Sequence, residues 1–137
     1  MGARRKAREL ALQMLFQHDI SGNAPETICS TFEDLQKSKP NTREFAVKIF
    51  NGTVENLAKL DEMIAAQADN WRISRMAVVD RNIIRMSIYE LLNEPETPKL
   101  VIIDEAIEIG KKFGTQKSSQ FINGILDGIL KRYNLAS

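Results

Sequence analysis

Val79-Asp80-Arg81-Asn82-Ile83-Ile84-Arg85-Met86-Ser87-Ile88-Tyr89-Glu90-Leu91-Leu92-Asn93 decides the fold. At about 100° per residue, Ile83, Ile84, Met86, Ile88, Tyr89, Leu91 and Leu92 spread around most of a helix. A helix that is apolar on nearly every side is central and enclosed by its neighbours.

The flanking segments keep the same period. A first helix runs from Arg4 to Ile20 and stops at Ser21-Gly22, with Gly22 suited to a left-handed cap. A second opens at Pro25, carries Ile28, Phe32 and Leu35 inward, and is broken by Ser38-Lys39-Pro40. Asn41 and Glu44 have capping-box spacing. They open a long helix with Ala46, Ile49, Phe50, Leu57, Leu60 and Ile64 on one side. Asn51-Gly52 could mark a hairpin, but its flanks do not alternate, so it reads as helix. Asp69-Asn70-Trp71 interrupts the pattern, and Ser74 caps a short turn before the central helix.

Thr97-Pro98 caps the next helix, which carries Ile102, Ile103, Ala106, Ile107, Ile109, Gly110 and Phe113 on one half and Asp104, Glu105, Glu108, Lys111 and Lys112 on the other. Gly114 stops it. Ser118 or Ser119 caps a last helix striped by Phe121, Ile122, Ile125, Leu126, Ile129, Leu130 and Tyr133. In that helix Gly124 and Gly128 admit a close neighbour. The reading is all-α, about seven helices in a single domain over residues 1–137.

Composition excludes several functions. Hydrophobic residues at 43% and charged residues at 27% are those of a globular domain. No apolar run approaches the roughly 20 residues of a membrane span, and no secretion signal is present, so the cytoplasm is expected. Cys29 is alone, so there is no disulfide framework or zinc cluster. His18 is the only histidine, which removes metal clusters and catalytic relays. Leu100-Val101-Ile102-Ile103-Asp104-Glu105 imitates the acidic strand of an ATPase, but the phosphate loop such a site needs is missing. The acids Asp104, Glu105 and Glu108 share an exposed, lysine-mixed face, with nothing to separate their pKa values for acid–base work. No enzyme, cofactor or metal is expected.

Two segments suggest an anionic partner. Arg4-Arg5-Lys6-Ala7-Arg8 crowds cations onto a chain of net charge +1, at a helix N-terminus where positive charge is disfavoured. Arg4 and Arg8 fall on the line of Ala11 and Leu15, so the helix is expected to overhang the core and expose them. Lys111-Lys112-Phe113-Gly114-Thr115-Gln116-Lys117-Ser118-Ser119-Gln120-Phe121 joins cations, a helix start and two aromatics. Cations that hold phosphates and rings that stack on bases are the means of single-strand binding. Phe121 stands at the edge of its apolar stripe, where its ring can stay accessible.

Ala3-Arg4-Arg5-Lys6-Ala7-Arg8-Glu9-Leu10-Ala11, Val79-Asp80-Arg81-Asn82-Ile83-Ile84-Arg85 and Tyr89-Glu90-Leu91 resemble the NusB family of bacterial transcription antitermination factors. Ile103-Asp104-Glu105-Ala106-Ile107-Glu108-Ile109-Gly110-Lys111-Lys112-Phe113-Gly114 and Phe121-Ile122-Asn123-Gly124-Ile125-Leu126-Asp127 carry the resemblance further. It covers essentially the whole chain and is weakest between Asn23 and Thr42.

The resemblance implies an all-helical, non-enzymatic factor that binds boxA RNA of nascent ribosomal transcripts. The factor acts with NusE, a small-subunit ribosomal protein, within the RNA polymerase antitermination complex, and it occurs as monomer or homodimer. By position, Arg4, Arg5, Lys6, Arg8, Lys117 and Phe121 would face RNA, and Phe16 and Asp80 would face NusE. Some relatives carry an acid where Lys117 stands, so phosphate contact is favoured here. NusB-like domains also assist ribosomal RNA methyltransferases; a protein-binding module acting on a partner in trans is the alternative.

Overall fold

A computed structural model describes residues 2–68 and 72–135. Among these residues the chain forms eight α-helices and one 3₁₀ turn, one helix more than expected. They group into two compact units, Met1–Glu55 and Asn56–Ser137. No helix is long and apolar enough to cross a membrane.

In the first unit, α1 (Ala3–Ser21) packs on α4 (Pro40–Glu55), with α2 (Pro25–Thr31) and α3 (Glu33–Lys37) between them in the chain. Ala7, Leu10, Ala11, Met14 and Leu15 of α1 are buried, as are Ala46, Ile49 and Phe50 of α4. Gly22 ends α1 in the left-handed conformation (φ 71°) and donates its N–H to His18 O at 2.9 Å.

The expected second helix is two. Phe32, with ψ 101°, both ends α2 and starts α3. Its N–H bonds Ile28 O at 3.0 Å and its carbonyl accepts from Leu35 N at 3.1 Å. The acids Glu33 and Asp34 then stand in the first turn of α3, where the helix dipole favours them. Phe32 is consequently only half-buried, while Ile28 and Leu35 are buried. Helix α4 starts at Pro40, whose missing N–H costs nothing there. Asn41 therefore lies inside the helix, and its Oδ1 takes the Thr42 N–H at 3.0 Å. Gly52 is buried within α4, which confirms helix over hairpin. Burial, helped by Glu26, pushes the Cys29 thiol pKa up, away from thiolate chemistry.

In the second unit, α5 (Leu57–Gln67) starts after Asn56 leaves helical geometry at φ −111°, ψ 18°. The run from Phe50 to Ile64 is thus two helices, not one. The break expected at Asp69-Asn70-Trp71 lies outside the described residues. Ser74 sits inside the 3₁₀ turn Ile73–Arg75 instead of capping it.

Helix α6 (Val78–Asn93) packs against α5, α7 (Lys99–Phe113) and α8 (Ser118–Arg132). It buries Ile83, Ile84, Met86, Ile88 and Leu91, as the wheel predicts. Pro98, not Thr97, flanks the start of α7. Helices α7 and α8 cross closely at Gly110, where a Cβ would lie 2.8 Å from Ile122 Cδ1. Gly128 makes room for the Gln67 side chain, whose Oε1 accepts from Arg132 Nε at 3.0 Å. Gly124 faces open space and admits no neighbour.

Polar side chains hold α6 from within. Arg85 is buried, and its guanidinium donates from Nε to Asp61 Oδ1 at 2.7 Å and from Nη2 to Asp61 Oδ2 at 2.8 Å. Its Nη1 donates to Asn82 Oδ1 at 3.1 Å, and Asn82 Nδ2 donates to Val78 O at 2.8 Å. The cation has a fork of acceptors on one side and an amide on the other. Asp61→Ala removes both oxygens of the fork and takes the paired carboxylate from a buried cation. It is expected to cost about 2–3 kcal/mol of unfolding free energy, read from urea melts of the variant against the parent chain.

Candidate nucleic-acid interface

The residues singled out from the sequence form two clusters, one in each unit. In the first unit, Arg4 and Lys6 are exposed and Arg5 is half-buried on the opening turns of α1. Arg8 is not exposed. It is 4% accessible, and its guanidinium carbon lies 5.6 Å from the centroid of the Phe45 ring, with that of Arg4 at 4.2 Å.

Two cations on the apolar line are thus tolerated because α4 supplies an aromatic face. Such contacts stabilise by about 0.5–2 kcal/mol each, increasingly as water is excluded. The end of α1 does not overhang as a free projection: Arg4 covers the ring and keeps its charge in solvent, while Arg8 packs as core. Beside them is a cavity of about 310 Å³ lined by Ala3, Arg4, Asn41, Glu44, Phe45 and Lys48. Lys48 escapes a sequence reading because only packing of α4 on α1 brings it to Arg4. Further along α1, Phe16 is 40% and Ile20 is 63% exposed, one turn apart on a single face.

In the second unit the loop between α7 and α8 is closed by a small set of contacts. Ser118 is buried, and its Oγ accepts the Thr115 N–H at 2.8 Å. It closes the loop from within the first turn of α8, and Lys117 occupies the cap position with no side-chain cap bond. Gly114 has extended backbone (φ −100°, ψ −160°), so its role is steric, not conformational. A Cβ there would lie 2.6 Å from Ser118 Cβ and 2.9 Å from Gly110 O. The closed loop leaves Lys117 exposed and Phe121 half-buried.

Lys117 and Phe121 line a cavity of about 440 Å³ with Arg75, Met76, Ala77, Asp80 and Gln120. Its size falls among small-molecule pockets, about 300–1,000 Å³. Asp80, far from them in the sequence, therefore shares one wall with Lys117 and Phe121. Arg81 Nη1 donates to Ile73 O at 3.3 Å and ties α6 to the turn that carries Arg75. Arg75 and Met76 carry no motif and are found only by folding. The arrangement offers cations at the rim, a ring face and apolar floor within, and one carboxylate. Among the described residues no group of three His, Cys, Asp or Glu side chains could hold a metal ion.

Comparison with known proteins agrees with this architecture. The family model described as "NusB family" matches residues 5–131 and so runs through both units. The transcription antitermination protein NusB of Desulforapulum autotrophicum is 45% identical over 133 residues, covering 94% of this chain and 92% of its own. Among solved structures, NusB of T. maritima superposes with a TM-score of 0.86 at 40% identity, covering 93% of this chain and 90% of that one. A crystal structure of antitermination factors NusB and NusE in complex with dsRNA gives a TM-score of 0.86 at 26% identity, covering 96% and 98%. The family model and the relatives each cover most of the chain, and the chain belongs to the NusB family.

Proposed function

We propose that this chain is a transcription antitermination factor that binds boxA RNA of nascent ribosomal transcripts together with NusE and joins the RNA polymerase antitermination complex. It performs no catalysis. It works in the cytoplasm, where transcription takes place, and residues 1–137 serve as one RNA-binding domain.

The observation that carries this reading is the cavity of the second unit, where an accessible Phe121 ring stands beside Lys117 and Arg75 at the start of α8. Flat ring and cation together suit a single strand, whose bases stack while its phosphates find charge. The exposed Arg4 and Lys6, with Arg5, supply further phosphate contacts. Arg8, packed against Phe45, acts by holding that end of α1 in place. Phe16 and Asp80 are the proposed NusE contacts, and the exposed Ile20 extends the apolar face of Phe16.

Four cations on phosphates, Arg4, Arg5, Lys6 and Lys117, give a log–log salt slope of about −3 for single-stranded RNA. Fluorescence polarisation with boxA RNA across a potassium chloride series measures it, and a flat response removes the electrostatic part. Phe121→Ala is expected to weaken boxA binding about tenfold with the helical circular-dichroism signal retained; a large loss of helicity would make Phe121 a core residue instead. Lys117→Asp is expected to lower affinity for boxA RNA measured without NusE, since it replaces a phosphate contact by repulsion. An unchanged Kd would remove Lys117 from the interface.

A further inference from the structure

Arg4 is exposed, yet it is not a loose surface cation. Its guanidinium carbon lies over the Phe45 ring, 4.2 Å from the centroid, and that ring is itself only 9% accessible. The separation is a stacking distance, well inside the roughly 6 Å reach of a cation–π contact. Arg8 approaches the same ring at 5.6 Å but is 4% accessible, so it offers no outer face. A guanidinium is flat and weakly hydrated, and its N–H donors lie in its own plane. With one face on Phe45, its edges serve phosphate and its opposite face serves a partner that needs no hydrogen bond there. Guanidinium planes are among the surfaces on which unpaired RNA bases stack.

Space for a base lies beside it. The cavity of about 310 Å³ is lined by Ala3, Arg4, Asn41, Glu44, Phe45 and Lys48, all of the first unit. Asn41 Oδ1 is taken by the Thr42 N–H, so the amide presents its N–H donors to a ligand. The Glu44 carboxylate in the wall repels phosphate. The backbone of a bound strand is therefore held by the cations Arg4 and Lys48, and a base goes inward.

We propose that Arg4 is a stacking platform. An unpaired base of the bound RNA enters this cavity and lies on the guanidinium face opposite Phe45, while the in-plane N–H groups hold the adjoining phosphate. Phe45 is the positioning residue. The inference rests on the RNA-binding reading and adds to it a second stacked base, separate from the one at Phe121.

The test is fluorescence polarisation of the full chain with NusE on boxA RNA, intact or with an abasic site at each position in turn. Arg4→Lys keeps the charge and removes the plane. It is expected to leave the salt slope at about −3 and to weaken binding of the intact strand about tenfold. In the parent chain, loss of the base at one position costs about tenfold. In Arg4→Lys the same loss costs about twofold or less, the coupling expected of two groups in contact. That position differs from the one coupled to Phe121→Ala.

Arg4→Lys binding as tightly as the parent, or abasic penalties that it leaves unchanged, makes Arg4 a phosphate contact only and overturns the platform while the RNA reading stands. Coupling of Arg4 and Phe121 to the same position overturns the separate base. The abasic series on the parent chain needs no variant: fewer than two costly positions overturns the proposal whatever Arg4→Lys does to the fold. A parent chain that does not bind boxA RNA at all overturns the RNA reading with it.

Discussion

The buried guanidinium of Arg85 sets the terms for the second unit. A desolvated cation is tolerated only where fixed acceptors meet it, and here Asp61 of α5 and Asn82 of α6 do so at 2.7–3.1 Å. The apolar residues of α6 spread around much of its circumference, and hydrophobic contact alone does not choose between rotations of such a helix. Turning α6 about its axis would take Arg85 away from the two Asp61 oxygens. The pair therefore fixes which side of α6 faces α5, and with it which side carries Asp80 to the cavity wall. A polar contact in one helix pair thus determines the composition of a cavity lined in part by the start of α8.

The helical character of the chain was legible because it depends on period alone. The enclosed α6, the amphipathic α7 and α8 and the Gly22 stop all follow from residues close in sequence. The breaks at Phe32 and Asn56 were not legible, since neither is marked by proline or glycine and both keep the apolar rhythm on either side. Phe32 is a hydrophobic residue serving as a cap, a role that propensity rules assign to serine, threonine, aspartate or asparagine. Ser118 shows the converse: it is a good cap by type, but its hydroxyl is taken by the Thr115 N–H.

The candidate site was legible in its parts and not in its grouping. Charge and aromatic content marked Arg4, Lys6, Lys117 and Phe121, and the structure leaves the three cations exposed and the ring half-buried. Arg8 was misjudged because a helical wheel sees one helix. The ring that accommodates it belongs to α4, and nothing near Arg8 in the sequence announces Phe45. Asp80 presents the same difficulty in the second unit. As a sequence position it is an acid in the first turn of a helix, an ordinary residue in an ordinary place. Only the 3₁₀ turn and the start of α8 bring Arg75, Lys117 and Phe121 around it in one cavity wall.

Net charge explains why such local detail matters. With 19 Lys and Arg against 18 Asp and Glu, the chain carries +1 and has no large overall charge to draw a polyanion from a distance. Cation pairing within the protein limits the supply further: Arg85 is held by Asp61, and Lys37 and Lys131 lie beside Glu33 and Asp127. The cations proposed to meet phosphate are a few side chains on α1 and around the α7–α8 loop. A surface of that kind gains little from non-specific attraction, which scales with the number of phosphates neutralised, and under the proposed reading stacking on the half-buried Phe121 ring carries the remainder.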